Sequence, residues 1–145
     1  MGLVSAAGLS QVGHHVVCMD RDSSRVEALR RGEIPIFEPG LAPMVLENQG
    51  DGRLRFTTDL ADALEGAEIL LIAVGTPAKE DGSADLAQVL AVAEAVGKLM
   101  NHPLLIVTKS TVPVGTSDQV RDTVAEQLKQ RGSDIEFAVA SNPEF

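Results

Sequence analysis

Glu68-Ile69-Leu70-Leu71-Ile72-Ala73-Val74-Gly75-Thr76-Pro77 contains the most apolar strand-like run of the sequence. One acid is followed by six aliphatic residues without alternation, and the run then stops at Gly-Thr-Pro. A run of this length is far too short to cross a membrane. It fits a strand of a parallel sheet, buried on both faces and ending in a turn. Three further runs have a similar character, His14 to Asp20, Pro103 to Val107 and Ile135 to Ala140, and a fourth, Arg53 to Thr57, alternates polar and apolar residues.

Between these runs lie segments with helical punctuation. Asp22 or Ser23 caps a helix running to Arg31, with Gly32 beyond its end. Asp59 caps Leu60 to Leu64, with Gly66 as the stop. Asp85 opens a longer helix in which Leu86, Val89, Leu90, Val92, Ala93 and Val96 share one face. Ser117 or Asp118 opens another, with Val120, Val124 and Leu128 inward and Gly132 after it. Strands alternating with helices predict an α/β fold, a doubly wound Rossmann-like parallel sheet formed by residues 1–145 as one domain.

Composition limits the partners. The 145 residues hold 12 Lys and Arg against 21 Asp and Glu, a net charge of −9. The longest basic cluster is Arg30-Arg31, so the clustered cations that nucleic acid or an anionic membrane surface demand are absent from the sequence. With no Trp or Tyr and four Phe, stacking on bases is also disfavoured. A single cysteine, Cys18, excludes an internal disulfide and a multi-cysteine zinc site, and no metal site is expected. Cys18 lies inside an apolar run and reads as core. His14 and His15 stand at the start of their strand, the end away from a ligand cleft. No apolar run of membrane-spanning length and no basic-then-apolar leader occurs, and the expected location is the cytoplasm.

The opening Met1-Gly2-Leu3-Val4-Ser5-Ala6-Ala7-Gly8-Leu9 reads as the small-residue start of a helix. A doubly wound dinucleotide fold begins with a strand and a Gly-rich turn before that helix. Gly2 occupies the place of the last fingerprint glycine. The expectation is therefore a domain short of its first strand, by about a dozen residues at ordinary strand and turn lengths. That strand is central in the usual order, so the runs at Val16 and Leu70 are expected to lose a neighbour. Unpaired buried backbone groups cost about 1–3 kcal/mol each. Partial unfolding, aggregation or pairing with another chain is the expected consequence.

Four strand ends carry polar or glycine-rich residues. Asp20, 18 positions past Gly2, is either an acceptor for the adenosine ribose hydroxyls or a strand-end acid that caps the next helix. Val74-Gly75-Thr76-Pro77-Ala78 either lets a cofactor approach the backbone or is an ordinary turn. Lys109-Ser110-Thr111-Val112-Pro113 could hold a pyrophosphate, a nicotinamide ribose or a catalytic water, or could be a loop with a helix cap at Thr116 or Ser117. Ser141-Asn142-Pro143-Glu144-Phe145 could offer a general base or an exposed end. All four tips on one edge of one sheet would form a cofactor cleft, with Asp20, Thr76, Thr111 and Glu144 along one rim.

Together these residues resemble a known family. Gly2-Leu-Val-Ser-Ala-Ala, Asp20 with Arg25, Phe37-Glu38-Pro39-Gly40-Leu41, Gly75-Thr76-Pro77, Asp81-Gly82-Ser83-Ala84-Asp85-Leu86, Lys109-Ser110-Thr111-Val112-Pro113 and Asn142-Pro143-Glu144-Phe145 follow the order of nucleotide-sugar 6-dehydrogenases. The Phe37 to Leu41 segment favours the UDP-glucose branch over the GDP-mannose and UDP-N-acetylmannosamine branches.

The resemblance implies a two-step, four-electron oxidation of a sugar C6 alcohol to a carboxylate, with two NAD⁺ reduced and a nucleotide sugar, UDP-glucose, as substrate. It implies that Gly2, Asp20, Arg25, Val74, Gly75, Thr76, Pro77, Ala78, Ser110, Thr111 and Val112 meet the NAD. It makes Thr111 and Glu144 catalytic, Thr111 by orienting a water and Glu144 by acid/base work around a thioester. Glu144 and Phe145 would also meet the substrate. The family's nucleophilic cysteine, second domain and dimer helix lie beyond Phe145 in its pattern, so the chain is expected to be an inactive NAD-binding portion of a homo-oligomeric enzyme. A non-catalytic NAD-binding module and a ligand-free packing unit are the rival classes.

Overall fold

The computed structural model describes residues 2–143. Glu144 and Phe145, and the expectations attached to them, lie outside the described residues. The elements run α1 (Gly2–Gln11), β1 (Val16–Met19), α2 (Ser23–Arg30), α3 (Leu41–Gly50), β2 (Leu54–Thr57), α4 (Leu60–Leu64), β3 (Ile69–Ile72), α5 (Ala87–Leu99), β4 (Leu104–Thr108), α6 (Thr116–Gln130) and β5 (Phe137–Ser141). All five expected strands form, and every ladder between them is parallel.

The chain divides into two units, residues 1–63 and 64–145. In the first, β1 and β2 pair from Val16↔Leu54 to Met19↔Thr57. Their core consists of Leu3, Ala6 and Ala7 of α1, Val26 and Leu29 of α2, Leu41 and Val45 of α3, and Leu54 and Phe56 of β2. Helix α2 is fastened to β2 by Arg30, whose Nε and Nη2 donate to Phe56 O at 3.1 and 2.9 Å. A buried amide ties the rest together. Asn48 Nδ2 donates to Gln11 Oε1 at 2.9 Å and to Met44 O at 2.8 Å, while its Oδ1 accepts from Arg53 Nε at 3.0 Å. The side chain is fully buried, so each of these bonds satisfies a group that has no access to water.

In the second unit, β4 lies between β3 and β5. Leu104, Ile106 and Thr108 of β4 are buried, as are Val89, Ala93 and Val96 of α5 and Val120, Val124 and Leu128 of α6. Leu86, Leu90 and Val92 are only half-buried, which makes the inward face of α5 narrower than its aliphatic pattern suggests. Helices α5 and α6 approach closely at Gly97, and Arg131 Nη2 donates to the Met100 carbonyl at the end of α5.

The structure bears on the sequence reading at four points. First, the expected parallel sheet short of its first strand forms as β1-β2 and β3-β4-β5, and the edges of β1 and β3 that were expected to lose a neighbour are open among the described residues. Val16 N–H donates to Arg53 O and Asp20 N–H to Thr57 O, so Val17 and Met19 turn their backbone groups to the edge of β1 that lacks a ladder partner among the described residues. On β3, Leu105 N–H donates to Glu68 O and Lys109 N–H to Ile72 O, which leaves Ile69 and Leu71 facing the corresponding open edge. A parallel ladder requires an adjoining backbone, and no described strand supplies one there.

Second, the apolar strands are not covered on both faces. Ile69, Leu105 and Ala138 are register partners on one face of the three-stranded sheet, and all are exposed, Ile69 at 57% and Leu105 at 36%. Third, neither Ser117 nor Asp118 caps α6. Gly115 is the N-cap at φ 93°, and the buried Thr116 Oγ1 donates back to Pro113 O at 2.7 Å. A left-handed residue is needed at that turn, and glycine takes it without strain. Fourth, α3 was not anticipated. Pro43 sits in its first turn, where a missing N–H costs nothing, and Leu41, Val45 and Asn48 form its buried stripe.

Candidate functional site

Asp20 follows the last residue of β1 and is about one-third exposed. Its Oδ2 accepts from Arg25 Nη1 at 3.0 Å, and its Oδ1 accepts from the Asp22 N–H at 2.9 Å. The helix cap is a different acid. Asp22 Oδ1 accepts from the Ser24 and Arg25 N–H groups at 3.1 and 3.2 Å and from Ser24 Oγ at 2.7 Å. The Ser24 hydroxyl, then the Arg25 N–H, hold the Asp22 carboxyl below its ordinary range. Asp20 is thus relieved of capping and presents a carboxylate at the carboxyl end of a parallel strand, beside a cation that keeps the site from being uniformly negative.

In the second unit the exits of β3 and β4 are joined. Ser110 Oγ donates to Val74 O at 2.6 Å, and Thr76 Oγ1 donates to Thr111 O at 3.2 Å. The expected partners Val74, Thr76, Ser110 and Thr111 therefore meet, although 35 and 36 positions separate the bonded pairs. The bonds also refine their chemistry. The Ser110 and Thr76 protons are committed to carbonyls, so both hydroxyls offer a ligand their lone pairs rather than a donor. Gly75 is exposed, has no left-handed φ, and a Cβ built on it meets nothing within 4 Å. Neither backbone nor packing demands glycine there.

Pro77 and Ala78 begin a tight excursion before α5. Ala78 and Ala84 bridge, Lys79 N–H donates to Ser83 O at 2.7 Å, and Asp85 N–H donates to Pro77 O at 2.7 Å. Val112 is half-buried in the loop before α6, and Gly2 is the first residue of α1.

One pairing missed by the sequence reading stands at the same strand ends. Lys109 Nζ donates to Asn142 Oδ1 at 2.8 Å, joining the exits of β4 and β5. Both belong to motifs already singled out, but their partnership spans 33 positions and leaves no local signal. Cys18 is no rival nucleophile. Burial, then the neighbouring Asp20 carboxylate, push its thiol up and keep it protonated. Among the described residues no group of three potential ligands could hold a metal ion, and no helix is long and apolar enough to cross a membrane.

In each unit, polar loops stand at the carboxyl ends of parallel strands, the ends at which α/β proteins of the dinucleotide-binding class take their ligands. The model of the UDP-glucose/GDP-mannose dehydrogenase family, NAD binding domain, matches residues 1–145. The chain belongs to this family. It is 50% identical over its whole length to a UDP-glucose 6-dehydrogenase of Pseudomonas aeruginosa, of which it covers 32%. The structure of a UDP-glucose dehydrogenase from Pyrobaculum islandicum shares 43% identity and a TM-score of 0.90 over 99% of this chain and 33% of that one. That of a GDP-mannose dehydrogenase from Pseudomonas aeruginosa shares 33% identity and a TM-score of 0.87 over 99% and 34%. The chain thus spans about a third of the length of these relatives.

Proposed function

We propose that this chain is the cofactor-holding part of an enzyme that oxidises the C6 alcohol of UDP-glucose to the carboxylate with two NAD⁺. The observation that carries the proposal is the pair of hydrogen bonds joining the β3 and β4 exits, Ser110 to Val74 and Thr76 to Thr111. They fix a polar shelf at the strand ends where open α/β sheets take their ligands. The greater identity to the UDP-glucose enzyme than to the GDP-mannose enzyme supports the choice of sugar.

Bound NAD⁺ supplies a hydride acceptor, and the protein supplies everything else. Asp20 accepts from the adenosine ribose hydroxyls and repels a 2′-phosphate, while Arg25 steadies its carboxylate. Gly2 stands at the start of the first helix, where a small residue admits the dinucleotide. Residues Val74 to Ala78 carry the dinucleotide, with Gly75 admitting it close to the backbone. Ser110, Thr111 and Val112 meet its nicotinamide half. Loss of hydride from an alcohol requires loss of the hydroxyl proton, and a water held by Thr111 relays it. Glu144 deprotonates the water that hydrolyses the acyl intermediate, and with Phe145 it borders the sugar nucleotide. Cys18 forms no such intermediate, because its thiol stays protonated within β1.

The test is calorimetric titration of the chain and its Asp20→Ala variant with NAD⁺ and NADP⁺. The parent binds NAD⁺ in preference to NADP⁺. The variant loses about tenfold in NAD⁺ affinity, of the order expected for one charged hydrogen-bonding partner, and discriminates less between the two. Unchanged affinity for both would remove Asp20 from the ribose site.

A further inference from the structure

Lys109 and Asn142 are the first residues beyond β4 and β5, and the reading above gives neither a role. Lys109 is anchored on one side by its own backbone, whose N–H donates to Ile72 O at 2.8 Å. The next residue, Ser110, grips the β3 exit through Val74. From this fixed base the half-buried ammonium reaches the opposite neighbour and donates to Asn142 Oδ1 at 2.8 Å.

Asn142 is held twice more. Its N–H donates to Thr108 O at 2.9 Å, extending the ladder one residue past β5. Pro143 follows it, which restricts Asn142 to extended backbone conformations. The ladder bond fixes where the residue sits, and the pre-proline restriction limits its backbone. Neither sets the rotation of the side-chain amide. A charge-assisted bond to its oxygen does so: the oxygen end faces Lys109 and the two Nδ2 protons face the other way.

We infer that Lys109 is a positioning residue: its ammonium holds the Asn142 side-chain amide and thereby fixes the course of Asn142 and Pro143 out of β5. The consequence for catalysis rests on the reading that Glu144 does acid/base work. The clamp itself does not.

Two measurements separate these claims. The first is amide hydrogen exchange by NMR on the 145-residue chain without cofactor. Lys109→Met speeds exchange at the Asn142 N–H about tenfold and leaves the amides of α5 and α6 unchanged, and Lys109→Arg restores the slow rate. The second is steady-state kinetics of the complete dehydrogenase. Lys109→Met and Asn142→Ala each lower kcat at least tenfold with the KM for NAD⁺ within twofold, and the double variant is no worse than either single one. Unchanged exchange at Asn142, additive losses in the double variant, or a loss confined to NAD⁺ affinity would overturn the inference. Exchange that responds as stated in a parent chain that binds no NAD⁺ would uphold the clamp and sink the functional reading instead.

Discussion

Replacing Gly97 with alanine sets two physical effects against each other, and the structure says which wins. Gly97 lies within α5, where alanine is favoured over glycine by about 1 kcal/mol in helix propensity. A Cβ at this position, however, falls 2.7 Å from Gln127 Cβ, 3.0 Å from Val124 O and 3.2 Å from Gln127 Cγ on α6. Carbon atoms pack favourably at about 3.5–4.0 Å, so the first contact is short by roughly an ångström. Its partner is not the free end of a flexible side chain, and the second contact is backbone. The helices must separate, and overpacking of this kind costs ~1–3 kcal/mol. Set against the propensity gain of about 1 kcal/mol, Gly97→Ala is a net destabilisation of up to about 2 kcal/mol.

Gly8 is the control. It sits within α1, lacks a left-handed φ, and an added Cβ meets nothing within 4 Å. Gly8→Ala therefore stabilises by ~0.5–1 kcal/mol. Urea unfolding followed by circular dichroism, at matched protein concentration, reads both as opposite shifts in midpoint at constant slope. A Gly97→Ala variant as stable as the parent, or both variants shifting the same way, would refute the packing argument.

Gly75→Ala is expected to leave the urea midpoint unchanged and to weaken NAD⁺ about tenfold by calorimetry, since only a ligand gives that glycine a purpose; unaltered affinity would empty the position of meaning. Asn48→Ala removes a fully buried amide whose hydrogen bonds tie Gln11, Met44 and Arg53 together, at a cost of about 1–3 kcal/mol in chemical denaturation. Acidification tests the Asp22 cap. Its folded pKa is depressed, so its contribution is complete above the unfolded value near 4 and disappears as pH falls through the lower folded value. Asp22→Asn, which caps without titrating, should flatten that part of the stability profile below about pH 4, and a profile identical to the parent's would contradict the assignment.

The helix α3 shows what a local reading overlooks. Pro39-Gly40 and Pro43 look like loop, and Asn48 and Gly50 are weak helix formers, yet Leu41, Val45 and Asn48 at i, i+4 and i+7 carried the signal. The α6 cap was missed for a different reason. Ser117 and Asp118 are better caps by residue type than Gly115, but the turn after Pro113 requires a positive φ that only the folded path of the chain specifies. The bare face of β3-β4-β5 was equally hidden, because an aliphatic strand reads the same with one face covered or two.

The order of strands and helices apart from α3, the strand ends that carry polar residues and the acid after β1 were legible in the sequence, because hydrophobic periodicity and capping act over a few residues at a time. Only the tertiary structure decided which of those residues hold one another. Ser110 to Val74, Thr76 to Thr111 and Lys109 to Asn142 each join positions more than thirty residues apart. Such bonds arise when parallel strands align in register, and no short-range pattern encodes that alignment. The tertiary structure likewise settled that Asp22 rather than Ser23 caps α2, and that Asp20 is left available.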